Sequence, residues 1–434
     1  MKKHITTLFC ISTVVLLIGL CLEMKQTGNL DRDTINTKAQ VTDDNSSDNS
    51  SDVSGEDTIE ESSNEPENLT EEESVFTDEN TVTEFTFSSE EMLQLQKEQE
   101  GFYTFDCLDD KERTVYCEIY ASILYMQEVE LSTTDADQME KVFQCVLNDH
   151  PEIFYVDGYS FTKYTRGGSV TKIMFEAAYT MDKAGIEETT EQIESRVLEI
   201  LKDVPAGTDD YEKIKYIYEF IIENTEYNVA AENNQNICSV FLNNQSVCQG
   251  YAKAAQYLLL RSGIKATLVV GFVEGGEGHA WNLVFADGDY YYIDTTWGDA
   301  SYRMTTEETF EVNHLPVINY DYLCVTTEQL CKTHSIQNVV PLPECSAVKD
   351  NYYVREGAYF VDVDEKQLEA VFQKSYADEK DYITLQCADL ECYQSMLDAL
   401  ITEQKVFRYM NTQDSAVAYA KNEEQLSLSF WLSE

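Results

Sequence analysis

The sequence predicts an α+β fold, and three observations lead there. Apolar residues recur at helical spacing, as in Tyr116, Ile119, Tyr120, Ile123 and Leu124, and again in Met139, Val142, Phe143 and Val146. Alternating runs come in pairs joined by short glycine turns, the mark of antiparallel hairpins. With 43% hydrophobic and 12% aromatic residues in 434, the chain can bury a sizeable core. Charge narrows the function. Eighty acidic residues against 30 basic ones give a net −50. Such a polyanion repels phosphate backbones and anionic lipid, so neither nucleic acid nor a membrane surface is an expected partner through a basic face.

Residues 1–30 read as an export segment. Lys2 and Lys3 precede an uncharged run from Ile5 to Leu22, 18 residues long, which suits a signal peptide or an N-terminal membrane anchor. The two lysines would stay inside, placing the rest outside the cytoplasmic membrane. Residues 31–90 hold 19 acidic and two basic residues among Ser, Thr and Asn. This stretch has no helical or strand period, so it is expected to be a disordered acidic linker. As a random chain it would span roughly 45 Å.

An N-terminal α+β region is expected over 91–205. Its hairpin runs from Phe154 to Tyr164 and from Val170 to Tyr179 around Gly167-Gly168, and a helix follows at Ile193–Leu201. Helix Tyr211–Ile222 opens a core region over 206–306. Beyond it, 307–434 is expected to be an α/β accessory region. There Tyr352–Val361 and Tyr382–Cys387 read as strands, Glu365–Lys374 and Leu390–Gln404 as helices, and further strands lie near Val406 and Leu426. Of the twelve cysteines ten lie beyond the export segment, and no C-x-x-C pair occurs. Cys324, Cys331, His334 and Cys345 are too irregularly spaced for a metal site, and buried thiols or a disulfide fit them better. The D-V-D run at Asp362–Asp364 lacks the glycine and terminal glutamate of a calcium loop. No metal and no cofactor are expected.

One stretch bears chemistry. In S-V-C-Q-G-Y-A-K-A-A-Q-Y-L-L-L from Ser246, residues Tyr251, Ala254, Ala255, Leu258 and Leu259 mark one buried helix face. Ser246 and Gln249 have capping-box spacing, which puts Cys248 at the second helical position. Backbone N–H groups and the helix dipole favour a thiolate there. Ala266–Val273 then reads as a buried strand. H-A-W-N-L-V-F-A from His279 meets D-Y-Y-Y-I-D-T-T-W across a two-residue Asp287-Gly288 turn. That turn sets Ala286 opposite Asp289, Trp281 opposite Asp294 and His279 opposite Thr296. His279 and Asp294 therefore project from one face as diagonal neighbours. Cys248, His279 and Asp294 would act as nucleophile, base and orienter. The Cys248 N–H is one oxyanion donor, and the side chain of Gln245 or Gln249 is a second, with Gln249 equally suited to capping.

V-C-Q-G-Y-A, G-H-A-W-N and Y-I-D-T-T-W resemble the three motifs of the transglutaminase-like superfamily, in the same order, across about Asp209 to Asp299. D-H-P-E-I-F-Y at Asp149 resembles the lead-in of its bacterial extracellular members. The resemblance implies a papain-like core, with a cysteine-bearing helix packed on an antiparallel sheet that carries His and Asp. By position it gives Cys248, His279 and Asp294 the triad roles. It implies an extracellular thiol enzyme acting on protein or peptide amides through a thioester, with an amine or water as acceptor. A cysteine peptidase or amidase of surface or cell-wall peptides, or a non-catalytic surface binding module, is the alternative. The calcium sites of animal cross-linking enzymes have no counterpart here. A surface or secreted polypeptide is the expected substrate, and only the N-terminal segment is expected to meet a membrane.

Overall fold

The computed structural model describes residues 88–299, 316–411 and 417–432, with the backbone of Phe9–Cys10 (β1) and Arg32–Thr37 (β2). Most of the export segment and of the acidic stretch lies outside the described residues. β2 falls within the expected linker and pairs antiparallel with β4 (Val156–Arg166), as does β1. Among the described residues no helix is long and apolar enough to cross a membrane.

The N-terminal unit contains α1 (Ser89–Gln99), α2 (Tyr103–Cys107), α3 (Asp110–Tyr125), β3 (Val129–Leu131), α4 (Ala136–Asp149), β4 and β5 (Ser169–Tyr179). Ser88 and Asp109 start α1 and α3 with full capping boxes to Glu91 and Glu112, and Asp135 caps α4. The β4–β5 hairpin turns where expected, with Gly167 and Gly168 both at positive φ. Its inner face, Ile173 and Phe175, packs with Tyr116, Ile119, Val142 and Phe143 of α3 and α4.

α5 (Lys183–Lys202) ends just before the expected boundary at 205. Its buried Ile193, Val197 and Ile200 join the central core, with α6 (Asp210–Asn224), α7 (Ile237–Phe241) and α8 (Cys248–Arg261). A short parallel pair, β6 (Glu226–Tyr227) and β7 (Gln245–Ser246), leads into α8. The central sheet has the order β10-β9-β8-β11, all antiparallel, from β8 (Lys265–Val273), β9 (Gly278–Ala286), β10 (Asp289–Ile293) and β11 (His334–Ile336). Leu268, Val270 and Ala280 meet Ala252 of α8 on one face. On the other, Val269, Trp281, Leu283 and Tyr292 lie under Tyr322, Val325 and Leu330. That covering segment bridges Val325 to Tyr292 beside β10, then returns to the opposite edge as β11. The sheet therefore takes its last strand from beyond residue 306.

The C-terminal sheet runs β12-β13-β15-β14, from β12 (Tyr359–Phe360), β13 (Tyr382–Cys387), β14 (Tyr419–Asn422) and β15 (Ser427–Trp431). Helices Glu365–Ala377 and Leu390–Leu397 flank it. Its core is continuous with that of α6 and α8, and Tyr320 stacks on Tyr352 with centroids 3.7 Å apart. Two expected strands are different. Tyr352–Arg355 is a helical turn because the Asn351 side chain caps the Tyr353 N–H, and Gly357 at φ +73° ends it before β12. Val406 lies in a 3-10 turn, Lys405–Arg408.

Candidate active site

α8 begins one residue later than the capping pattern predicts. The N-cap is Val247, extended and without a side-chain cap, so Cys248 is the first helical residue rather than the second. Ser246 does not cap because it is the last residue of β7, paired with Tyr227. Its buried Oγ lies 2.7 Å from Ser239 Oγ and 2.9 Å from Asn234 O. The glycine of C-Q-G follows from that network. A Cβ on Gly250 would sit 1.9 Å from Ser246 Oγ and 2.7 Å from Asn234 O. Gly250→Ala is accordingly expected to destabilise the fold by about 1–3 kcal/mol through overpacking. Urea denaturation measures this, and an unchanged midpoint would mean the helix start yields freely.

The hairpin register is as derived, from Asp289 opposite Ala286 to Ile293 opposite Asn282. Asp287 and Gly288 both adopt positive φ, which suits a two-residue turn. Asp294 is the next residue, its N–H donating to Tyr322 O at 3.0 Å. His279 Nε2 lies 2.7 Å from Asp294 Oδ2, and the Cys248 side chain is close enough to add to the upward shift of the imidazole. With Nε2 on the carboxylate, Nδ1 is the atom left for the thiol. Asp294 Oδ1 accepts from the N–H groups of Thr296 (2.9 Å) and Trp297 (3.0 Å). Trp281 stacks near the His279 ring at 5.9 Å. The structure thus brings the three predicted residues together, with His279 and Asp294 buried and Cys248 half-buried.

The electrostatics follow from burial and pairing. Burial disfavours the His279 imidazolium, but the charge and hydrogen bond of Asp294 outweigh it and raise the pKa to about 10. Burial would raise Asp294, yet His279 and His334 hold it well below the usual carboxylate range.

The two glutamines part company. Gln245 Nε2 donates to Glu226 Oε2 and its Oε1 accepts from Asn228 Nδ2, both at 3.1 Å, so its amide is engaged across β6–β7. Gln249 is buried immediately after Cys248. His334 is what the sequence reading missed. It appeared only in a rejected cysteine grouping, and no motif marks it. From β11 its Nε2 reaches Asp294 Oδ2 at 3.0 Å. Cys345 meanwhile belongs to an apolar cluster, Cys324 is buried and Cys331 is exposed. The ten cysteines from Cys107 to Cys392 are free thiols. His279, Asp294 and His334 offer three ligand atoms within 4.8 Å of one another, a donor set a metal ion could use. Both Nε2 atoms are already committed to the carboxylate.

The family model described as the transglutaminase-like superfamily matches residues 200–295, a span that holds Cys248, His279 and Asp294. Mouse kyphoscoliosis peptidase is 24% identical over 151 residues, covering 31% of this chain and 23% of that protein. The human protein of the same name is 23% identical over 171 residues, covering 36% and 24%. The chain thus spans about a quarter of the length of these relatives. A solved TGase structure aligns at 14% identity and TM-score 0.24, covering 44% of this chain and 53% of that one. Residues 200–295 thus carry a transglutaminase-like domain.

Proposed function

We propose that this protein is an extracellular thiol acyltransferase or amide hydrolase that works through a thioester on Cys248. The observation that supports this most is the His279 imidazole, paired at 2.7 Å with the buried Asp294 and set beside the half-buried Cys248 at the first position of α8. His279 Nδ1 takes the thiol proton, and Sγ attacks the carbonyl carbon of an amide. The oxyanion forms beside the Cys248 N–H, which the helix start leaves without an intrahelical partner. As the C–N bond breaks, His279 returns the proton to the leaving amine. A water or a primary amine, deprotonated by the same imidazole, then attacks the thioester and frees Sγ.

The experiment is intact mass measurement of a glutamine-containing protein after incubation with this protein, with and without a primary amine. An amine adduct supports acyl transfer, deamidation supports amide hydrolysis, and chain cleavage supports the peptidase alternative. No change in substrate mass and no trapped thioester would overturn the enzyme reading in favour of a binding module.

Iodoacetamide labelling of the native protein at about pH 6, below the pKa of roughly 8.5 of an ordinary thiol, is expected to modify Cys248 first. Cys107 and Cys331 are the exposed controls, and burial of their sulfurs pushes both thiols upward in pKa. Labelling of Cys248 no faster than these two would remove the case for an activated nucleophile.

The outward location is part of the proposal, supported by the basic start, the uncharged run and the acidic stretch. Protease treatment of intact cells is expected to cut first between Asp31 and Glu90 and release an active fragment. A protein resistant until the cells are lysed would contradict it.

A further inference from the structure

We infer that His334 is a positioning residue of this site, a neutral imidazole whose Nε2–H fixes Asp294 so that Asp294 can orient His279. The inference rests on the triad reading above and adds a fourth member to it. Asp294 Oδ2 sits 2.7 Å from His279 Nε2 and 3.0 Å from His334 Nε2, so one carboxylate oxygen serves two imidazoles. The side chains of Asp294 and His334 are fully buried, so no solvent stands ready to replace either bond.

The tautomer follows from the partners on the other side of the ring. His334 Nδ1 lies 2.8 Å from Thr333 Oγ1, which lies 3.2 Å from the Tyr322 hydroxyl. A neutral ring with its proton on Nδ1 would turn a lone pair toward the carboxylate. With the proton on Nε2, His334 donates to Asp294 and turns the Nδ1 lone pair to the Thr333 hydroxyl at 2.8 Å, which is a closer partner for that hydroxyl than the Leu330 carbonyl at 3.4 Å, while Tyr322 donates to Thr333. Every donor then meets an acceptor. Burial, which outweighs the pull of Asp294, keeps this ring in its neutral form.

The ring is also held in place. Trp281, Trp297 and Tyr322 surround it, with centroids at 5.1, 4.9 and 5.5 Å and planes steeply inclined to its own. Its backbone is registered by β11, with His334 opposite Val273. Asp294, by contrast, follows the last paired residue of β10. Two backbone N–H groups anchor its Oδ1, and the His334 N–H supplies a matching anchor on Oδ2. At metal sites, outer hydrogen-bond partners of histidines and carboxylates change affinity or activity by roughly ten- to a hundredfold, and that range sets the scale expected here.

The test is the rate of Cys248 alkylation by iodoacetamide in the full chain, compared with Cys107 and Cys331 as internal controls. His334→Met removes the donor and is expected to slow alkylation roughly ten- to a hundredfold. His334→Gln, whose amide N–H can still reach Oδ2, is expected to recover most of that rate. In an Asp294→Ala background the methionine change is expected to add less than about twofold, since the two residues act as one unit. A purely structural His334 would instead lower the thermal midpoint in both variants alike, without rescue by glutamine and without dependence on Asp294. Any of those results, or an unchanged rate in His334→Met, overturns the inference. Thr333→Val, which deletes the hydroxyl facing Nδ1, serves where the methionine variant does not fold. It is expected to slow alkylation severalfold, and an unchanged rate again overturns the inference. The two readings fail differently. If wild-type Cys248 reacts no faster than Cys331, the triad reading falls. If Asp294→Ala slows alkylation and His334→Met does not, only the role of His334 falls.

Discussion

Cys248→Ala is expected to abolish turnover, with a loss on the order of 10⁶-fold by comparison with other nucleophile deletions, while the fold stays intact. Alanine is the best helix former, and Cys248 is a half-buried first helical residue rather than a core side chain. The thermal midpoint should therefore move little. The size of the effect follows from the chemistry. Without Sγ there is no acyl-enzyme, and the reaction would need direct attack of water or amine on an amide. The Cys248 N–H and the His279–Asp294 pair remain, so substrate binding should survive and the variant should capture substrate without converting it. Mass spectrometry of quenched reactions checks both halves: a thioester adduct on wild type and none on the variant. Residual activity above about one per cent, well beyond what binding and oxyanion donors alone retain, would mean that another group is the nucleophile.

Much of this site was legible in the sequence because local rules fixed it. A two-residue Asp287-Gly288 turn permits one register, and that register alone set His279 and Asp294 side by side. The buried face of α8 followed from its period. The cap did not, because Ser246 is drawn into pairing with β6 and into the buried contacts beneath Gly250, and neither shows in a local pattern. The helical turn at Tyr352 was misread for a similar reason. Two tyrosines and a valine after Asn351 look like a strand until the asparagine is seen to cap them. His334 was out of reach altogether. It stands 40 residues after Asp294 and arrives only because the chain spans the sheet between Val325 and β11. Across the expected boundaries at 205 and 306, α5 and the C-terminal sheet share one core with α6 and α8. Composition changes along a chain report linkers, and they do not report which helices share a core.

Asp294→Asn is expected to lower turnover by roughly 10²–10⁴ without unfolding the protein, by analogy with triads whose carboxylate sets the histidine tautomer. Here the reason can be read from the partners. Oδ1 of Asp294 accepts from two backbone N–H groups, those of Thr296 and Trp297. An asparagine must keep its carbonyl oxygen there, which turns its NH₂ toward Nε2 of both His279 and His334. Two donors then face two donors unless the rings move their protons to Nδ1. On His279 that is the atom needed to take the Cys248 proton. The variant also removes the charge that outweighs burial at His279, so its pKa should fall from about 10. The alkaline limb of the rate profile should move to lower pH. Stability should shift with the same sign logic. A histidine raised from its unfolded value contributes fully below about pH 6.5 and loses that contribution as pH rises through the folded value. Wild type should therefore exceed the variant in urea midpoint most at about pH 6, and the gap should narrow toward about pH 10. Turnover within twofold of wild type, or an alkaline limb that stays in place, would remove Asp294 from the role assigned to it.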